Sequence, residues 1–92
     1  MMSKVVGHRL RLIQEEQEIE LPLNSKFVSA EIDKFGIVLY FWLKVPFEAK
    51  PIKRRFVVVR TDEQFTNHAR AHLFSGRAEN IRTMLHVFEL KE

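Results

Sequence analysis

The stretch FGIVLYFWLKVPF, residues 35–47, has almost no polar face, and any fold for this 92-residue chain has to hide it. A membrane-spanning helix needs about 20 apolar residues. Lys34 and Lys44 bracket a much shorter run, so no membrane span is expected. The residue types favour a strand over a buried helix. Ile37, Val38, Tyr40, Phe41, Trp42 and Val45 are β-branched or aromatic, and Gly36 and Pro46 bound a piece of strand length. Strand alternation sends Ile37, Leu39, Phe41, Leu43 and Val45 one way and Val38, Tyr40 and Trp42 the other.

A strand apolar on both faces needs two covers. An opposing sheet supplies one. The second is either the segment DEQFTNHARAH, residues 62–72, or another copy of the chain. A single domain of this size buries only about 60–70% of its unfolded surface. The expectation is therefore a homo-oligomer with Tyr40 and Trp42 at the subunit contact.

The flanking segments alternate too. Residues 4–12 send Val6, His8, Leu10 and Leu12 to one face and Gly7, Arg9 and Arg11 to a wet one. Glu18 and Glu20 alternate with Ile19 and Leu21, and PLNSK reads as a turn. In residues 26–33, Val28, Ala30 and Ile32 share one side, and residues 33–36 close a hairpin into the apolar run. Residues 47–51 read as a loop and residues 52–61 as a strand. Residues 62–72 read as a loop or one helical turn. HLFSGR reads as a strand ending in a Ser-Gly turn. Residues 81–90 read as a final strand with Met84, His86, Phe88 and Leu90 on one face and Ile81, Thr83, Leu85 and Val87 on the other. The sum is one all-β domain over residues 1–92: an antiparallel β-sandwich or flattened barrel of about seven short strands, with at most one short helix.

Composition narrows the chemistry. The chain has no cysteine, which removes disulfides, thiolate zinc sites and a cysteine nucleophile and fits a reducing cytoplasm. MMSKVVGHRL lacks the apolar core of a signal peptide. Three glycines cannot build a phosphate loop, a dinucleotide fingerprint or a nucleophile elbow. No catalytic residue and no cofactor is assigned, and an enzyme is not expected. His68 and His72 are spaced i, i+4 and would share a helix face, but no Glu follows His68, so two surface histidines and no metal are expected. His86, beside Met84 and Phe88, reads first as a hydrogen-bonded core residue and second as a base or ligand contact, and His8 similarly.

Charge is the more informative polar feature. The net charge is +3 and unevenly spread. QEEQEIE, residues 14–20, is acidic, whereas residues 50–60 carry Lys50, Lys53, Arg54, Arg55 and Arg60 without an acid. Lys53 and Arg55 share one strand face, and Arg54 shares the other with Arg60. Arg70 and Arg77 flank the next strand and Arg82 opens the last. Antiparallel pairing would gather several guanidinium groups at one end of a sheet. Lys53, Arg54, Arg55, Arg60, Arg77 and Arg82 are thus the candidate anion or partner site, since guanidinium forks suit phosphate and carboxylate. The alternative is a solvated, edge-protecting surface. Nucleic acid is disfavoured, because aromatic residues are not interleaved with the cations beyond Phe56 beside Arg55.

The pieces Ile19-Glu20-Leu21-Pro22, the Trp42 strand, RRFVVVR, HLFSG and His86-Val87-Phe88-Glu89 together resemble a family of small tailed-phage proteins of unknown function. The resemblance spans residues 5–89. It departs after the Arg-Phe strand, where Thr61-Asp62 stands in place of a Thr-Gly-His turn. It implies a phage origin, an all-β fold and no activity. The expected function is a small phage accessory protein in the host cytoplasm that acts by binding, with an acidic host protein or a nucleotide-like ligand as partner. The alternative is a virion or assembly component whose apolar strand is a subunit contact.

Overall fold

The computed structural model describes residues 2–45, 50–79 and 81–91. The expected 47–51 loop falls largely outside them. Seven strands form: β1 Met2–Leu10, β2 Gln17–Pro22, β3 Lys26–Asp33, β4 Gly36–Val45, β5 Pro51–Arg60, β6 Ala69–Gly76 and β7 Leu85–Leu90. All pairings are antiparallel, in a three-stranded sheet ordered β1-β4-β3 and a four-stranded sheet ordered β2-β5-β7-β6. The architecture is an open sandwich, not a closed barrel. No helix among the described residues is long and apolar enough to cross a membrane.

The apolar run is the centre of the three-stranded sheet. Ile37, Leu39, Phe41 and Leu43 are buried against the other sheet, while Val38, Tyr40 and Trp42 lie half-buried on the outer face. From the four-stranded sheet, Leu21, Phe56, Val58, Leu85 and Val87 meet them. Phe41 is the pivot, with Phe27 and Phe56 rings each 6.0 Å from its centroid. His8 faces the same core, edge-on to Phe41 at 6.3 Å.

Three sequence expectations change. Val28 is 52% exposed rather than core-facing, because a bulge between Phe27 and Ser29 shifts the alternation and hands the inner position to Phe27. The last strand starts at Leu85, not at residue 81. Ahead of it the backbone N–H of Ile81 donates to the Ala78 carbonyl at 3.2 Å, and Ala78 and Ile81 pack against the main core. Residues 62–68 do supply a cover, but for the four-stranded sheet: Phe65 stacks on Phe88 at 5.3 Å over Val57, Val59 and Leu90.

Local chemistry fixes the turns. The Gln17 side chain bonds both backbone groups of Arg11, at 2.8 and 2.9 Å, and so holds the crossing from one sheet to the other. Asn24 and Asp62 take positive φ, which their short polar side chains tolerate. Gly36 takes φ +148°, and a Cβ there would lie 2.2 Å from the Leu10 carbonyl oxygen, so the β3–β4 hairpin admits only glycine at that point.

Candidate functional site

The acidic and basic segments are neighbours in space. β2 runs antiparallel to β5, with Glu18 opposite Arg55 and Glu20 opposite Lys53. Lys53 reaches Glu18 at 4.0 Å. Arg55 donates to Glu16 at 3.1 Å and to the Lys91 carbonyl at 2.5 Å. Glu16 also accepts from Asn67 at 2.6 Å, which ties the loop before β6 to the same group. At this end of β5 the positive charge is largely matched by β2 and its preceding loop.

Arg54 is placed differently from the expectation. It alternates in phase with Phe56 and Val58, so its side chain turns into the sandwich and is only 15% exposed. Its Nε and one terminal nitrogen donate to the two oxygens of Glu89, each at 2.6 Å. The other terminal nitrogen donates to the Ser25 carbonyl at 2.7 Å. The guanidinium lies 5.3 Å from the Phe41 ring centroid. Glu89 shares its strand face with Leu85 and Val87. The pair is a core tie between β5, β7 and the turn before β3. Three of the five N–H donors of the Arg54 guanidinium are thus engaged by Glu89 and Ser25, and its low exposure makes it less available to a solvent ligand than the exposed arginines.

The remaining arginines gather at the opposite end of β5. Leu85 pairs with Arg60 on one side and with Gly76, just before Arg77, on the other. The 77–84 segment carrying Arg82 feeds the same point, and Thr61 donates its backbone N–H to the Met84 carbonyl at 3.0 Å. Arg60, Arg77 and Arg82 are exposed. Arg60 has a loose partner in Glu63 at 3.9 Å, and Arg77 and Arg82 form no ion pair among the described residues. A cleft of about 370 Å³ opens here, lined by the apolar Leu12, Val58 and Leu85 and by the polar Gln14, Arg60, Thr61, Glu63 and Thr83.

Beside it runs a feature that sequence reasoning missed. The rings and hydroxyls of His72, Ser75, His86 and Thr61 form one hydrogen-bonded chain: His72 Nε2 to Ser75 Oγ at 2.7 Å, Ser75 Oγ to His86 Nδ1 at 2.6 Å, and His86 Nε2 to Thr61 Oγ1 at 2.7 Å. Cross-strand pairing of Ser75 with His86 places the two side by side. A neutral imidazole offers one donor and one acceptor, and each hydroxyl can do both, so the chain satisfies itself without a charge. It joins the turn after β5 to β7 and β6 on the outer face of their sheet. A Ser-His contact also belongs to nucleophilic catalysis, but there the imidazole is oriented by a third group, usually a carboxylate; here Thr61 takes that place. The parity of His86 with Phe88 was the visible signal. The strand order β5-β7-β6 was not visible. His68 and His72 do not share a helix face, because β6 begins at Ala69 and His72 is a strand residue. Among the described residues no group of three or more His, Asp and Glu side chains could hold a metal.

The family Domain of unknown function (DUF7352) matches residues 1–92. The chain belongs to that family. No curated protein and no solved structure matches it. The DUF7352 fold seen here thus presents two differently treated surfaces. On the four-stranded sheet, the outer face is covered by its own Phe65 loop and bordered by arginines. On the three-stranded sheet, Tyr40 and Trp42 stay half-exposed, with the Tyr40 hydroxyl donating to Glu31 at 2.6 Å.

Proposed function

We propose that this DUF7352 protein acts by binding rather than catalysis, as a small phage accessory protein in the host cytoplasm that engages an anionic group on an acidic host protein or a nucleotide-like ligand. The contact surface is the end of the four-stranded sheet around Arg60, Arg77 and Arg82. The observation that carries this reading is the sorting of the cations. Lys53, Arg54 and Arg55 are matched by Glu18, Glu89 and Glu16, whereas Arg77 and Arg82 form no ion pair among the described residues. Arg60 lines a cleft with Val58 and Leu85, and Arg77 and Arg82 lie in the segment between β6 and β7 that leads to the same end of the sheet, so an anion arriving there meets guanidinium groups that no carboxylate among the described residues has closely engaged.

Retention on a polyphosphate resin tests this. The wild type elutes as salt rises through about 50–200 mM. R77E/R82E passes through unretained, and K53E/R55E is retained almost as the wild type. Equal loss in both variants, or retention by R77E/R82E, refutes the assignment. The alternative, a virion or assembly component, draws on the uncovered outer face of the three-stranded sheet, and detection of the protein in purified particles would favour it.

A further inference from the structure

The outer face of the three-stranded sheet is arranged in rows across β1, β4 and β3. The middle row is Gly7, Tyr40 and Ser29; toward one end lie Val5, Trp42 and Lys26; toward the other lie Arg9, Val38 and Glu31. Val5 is 54% exposed. Gly7 leaves room for the Tyr40 ring to lie across it, since a Cβ there would come within 3.1 Å of that ring and of Val38. The Tyr40 hydroxyl is held by Glu31, so the ring is a fixed, flat platform. The centre is apolar and the ends differ in charge. Lys26 and Lys44 stand at the Trp42 end, and Glu31 and Asp33 at the Val38 end, with Arg9 paired to Asp33.

We propose that this face is a homodimer interface in which two copies stack with their strands running oppositely, about a twofold axis that crosses the strands at the Tyr40 row. The charge pattern selects that axis. A twofold parallel to the strands would set Lys44 against its own copy and Lys26 over the apolar Val5, with no carboxylate to meet either. A twofold across the strands sets Lys26 of each copy against Glu31 of the other, Trp42 against Val38, Tyr40 against the Tyr40-Gly7 platform, and Val5 against the aliphatic stem of Arg9. The interface is isologous, as a twofold requires. At strand spacings of about 4.8 Å and rises of about 3.3 Å per residue, the face measures roughly 14 by 30 Å, which gives about 1,000 Å² of accessible surface for the pair. That is the low end for a specific interface, so the dimer exchanges and its dissociation constant can be measured.

The contact lies on the sheet opposite the arginine cluster, and each can fail without the other. Sedimentation equilibrium on the full chain is the test. Wild type sediments as a dimer. K26E sets two carboxylates against each other at each end of the interface and E31K sets two ammonium groups against each other there, and each raises the dissociation constant about tenfold or more. An equimolar mixture of K26E and E31K restores the dimer, because the two kinds of chain complement at both ends. That restoration also shows that both variants are folded. W42A weakens the dimer by at least the same factor. A wild type that stays monomeric at its highest soluble concentration overturns the proposal. So does a dimer indifferent to W42A, or one in which the K26E and E31K chains do not rescue each other.

Discussion

Replacing Arg54 by methionine removes one half of a buried ion pair and keeps the aliphatic volume. The carboxylate of Glu89, 6% exposed, then loses the guanidinium that satisfies both its oxygens, and the Ser25 carbonyl loses its Arg54 donor. Breaking one side of such a pair costs about 3–5 kcal/mol, because a charge remains buried without a partner. A domain of this size holds roughly 5–14 kcal/mol at about 0.05–0.15 kcal/mol per residue. R54M thus removes a large share of it. Thermal melting reads the loss at about 4–8 °C per kcal/mol, a fall of roughly 12–40 °C. E89L does similar damage by stranding Arg54 between Phe41 and Phe56. The double variant R54M/E89L removes both charges and refills the space with apolar atoms, and its stability returns to within about 1–2 kcal/mol of wild type. Urea denaturation of all four proteins closes the cycle. If R54M and E89L each cost under about 1 kcal/mol and simply add, the pair is a screened surface contact and the core assignment of Arg54 fails.

Two further outcomes follow from the turns. G36A forces a methyl group onto the Leu10 carbonyl at a positive φ, and calorimetry will show a loss of about 2–4 kcal/mol. Full stability in G36A refutes the tight hairpin. Asp33 accepts from Arg9 at 2.5 Å and from the Phe35 backbone N–H at 2.8 Å, and these bonds hold its carboxyl below the usual range. A depressed folded pKa adds stability above the unfolded value of about 3.9, and this is lost as pH falls through the lower folded value. D33N therefore flattens the acid limb of the stability–pH profile, and an unchanged limb contradicts the Arg9-Asp33 bond.

Much of the fold was legible because strand alternation is a local signal. The division of residues 37–43 into Ile37, Leu39, Phe41 and Leu43 inside and Val38, Tyr40 and Trp42 outside needed only period two, and the Asp33–Gly36 hairpin needed only Gly36. Val28 was misplaced because a bulge shifts the period without a residue that announces it. The site was less legible. Arg54 and Arg55 look alike in sequence, yet one is locked to Glu89, 35 residues away, and the other bonds Glu16 in the acidic loop and the Lys91 carbonyl. The parity of Arg54 with Phe56 carried that information, but the identity of its partner depended on β7 lying beside β5. The same strand order gathers Arg60, Arg77 and Arg82, and it aligns Thr61, His86, Ser75 and His72. None of those groupings is a spacing in the chain.

Anion binding is proposed at the Arg60 end of β5. Backbone amide NMR during a titration with inorganic pyrophosphate tests it most directly, since every non-proline residue reports its own environment. Shifts are expected to concentrate at Arg60, Thr61, Arg77 and Arg82 through Leu85, to saturate with pyrophosphate and to fade as salt is added. Shifts centred instead on Lys53 and Arg55, or a spectrum that does not change, would contradict it.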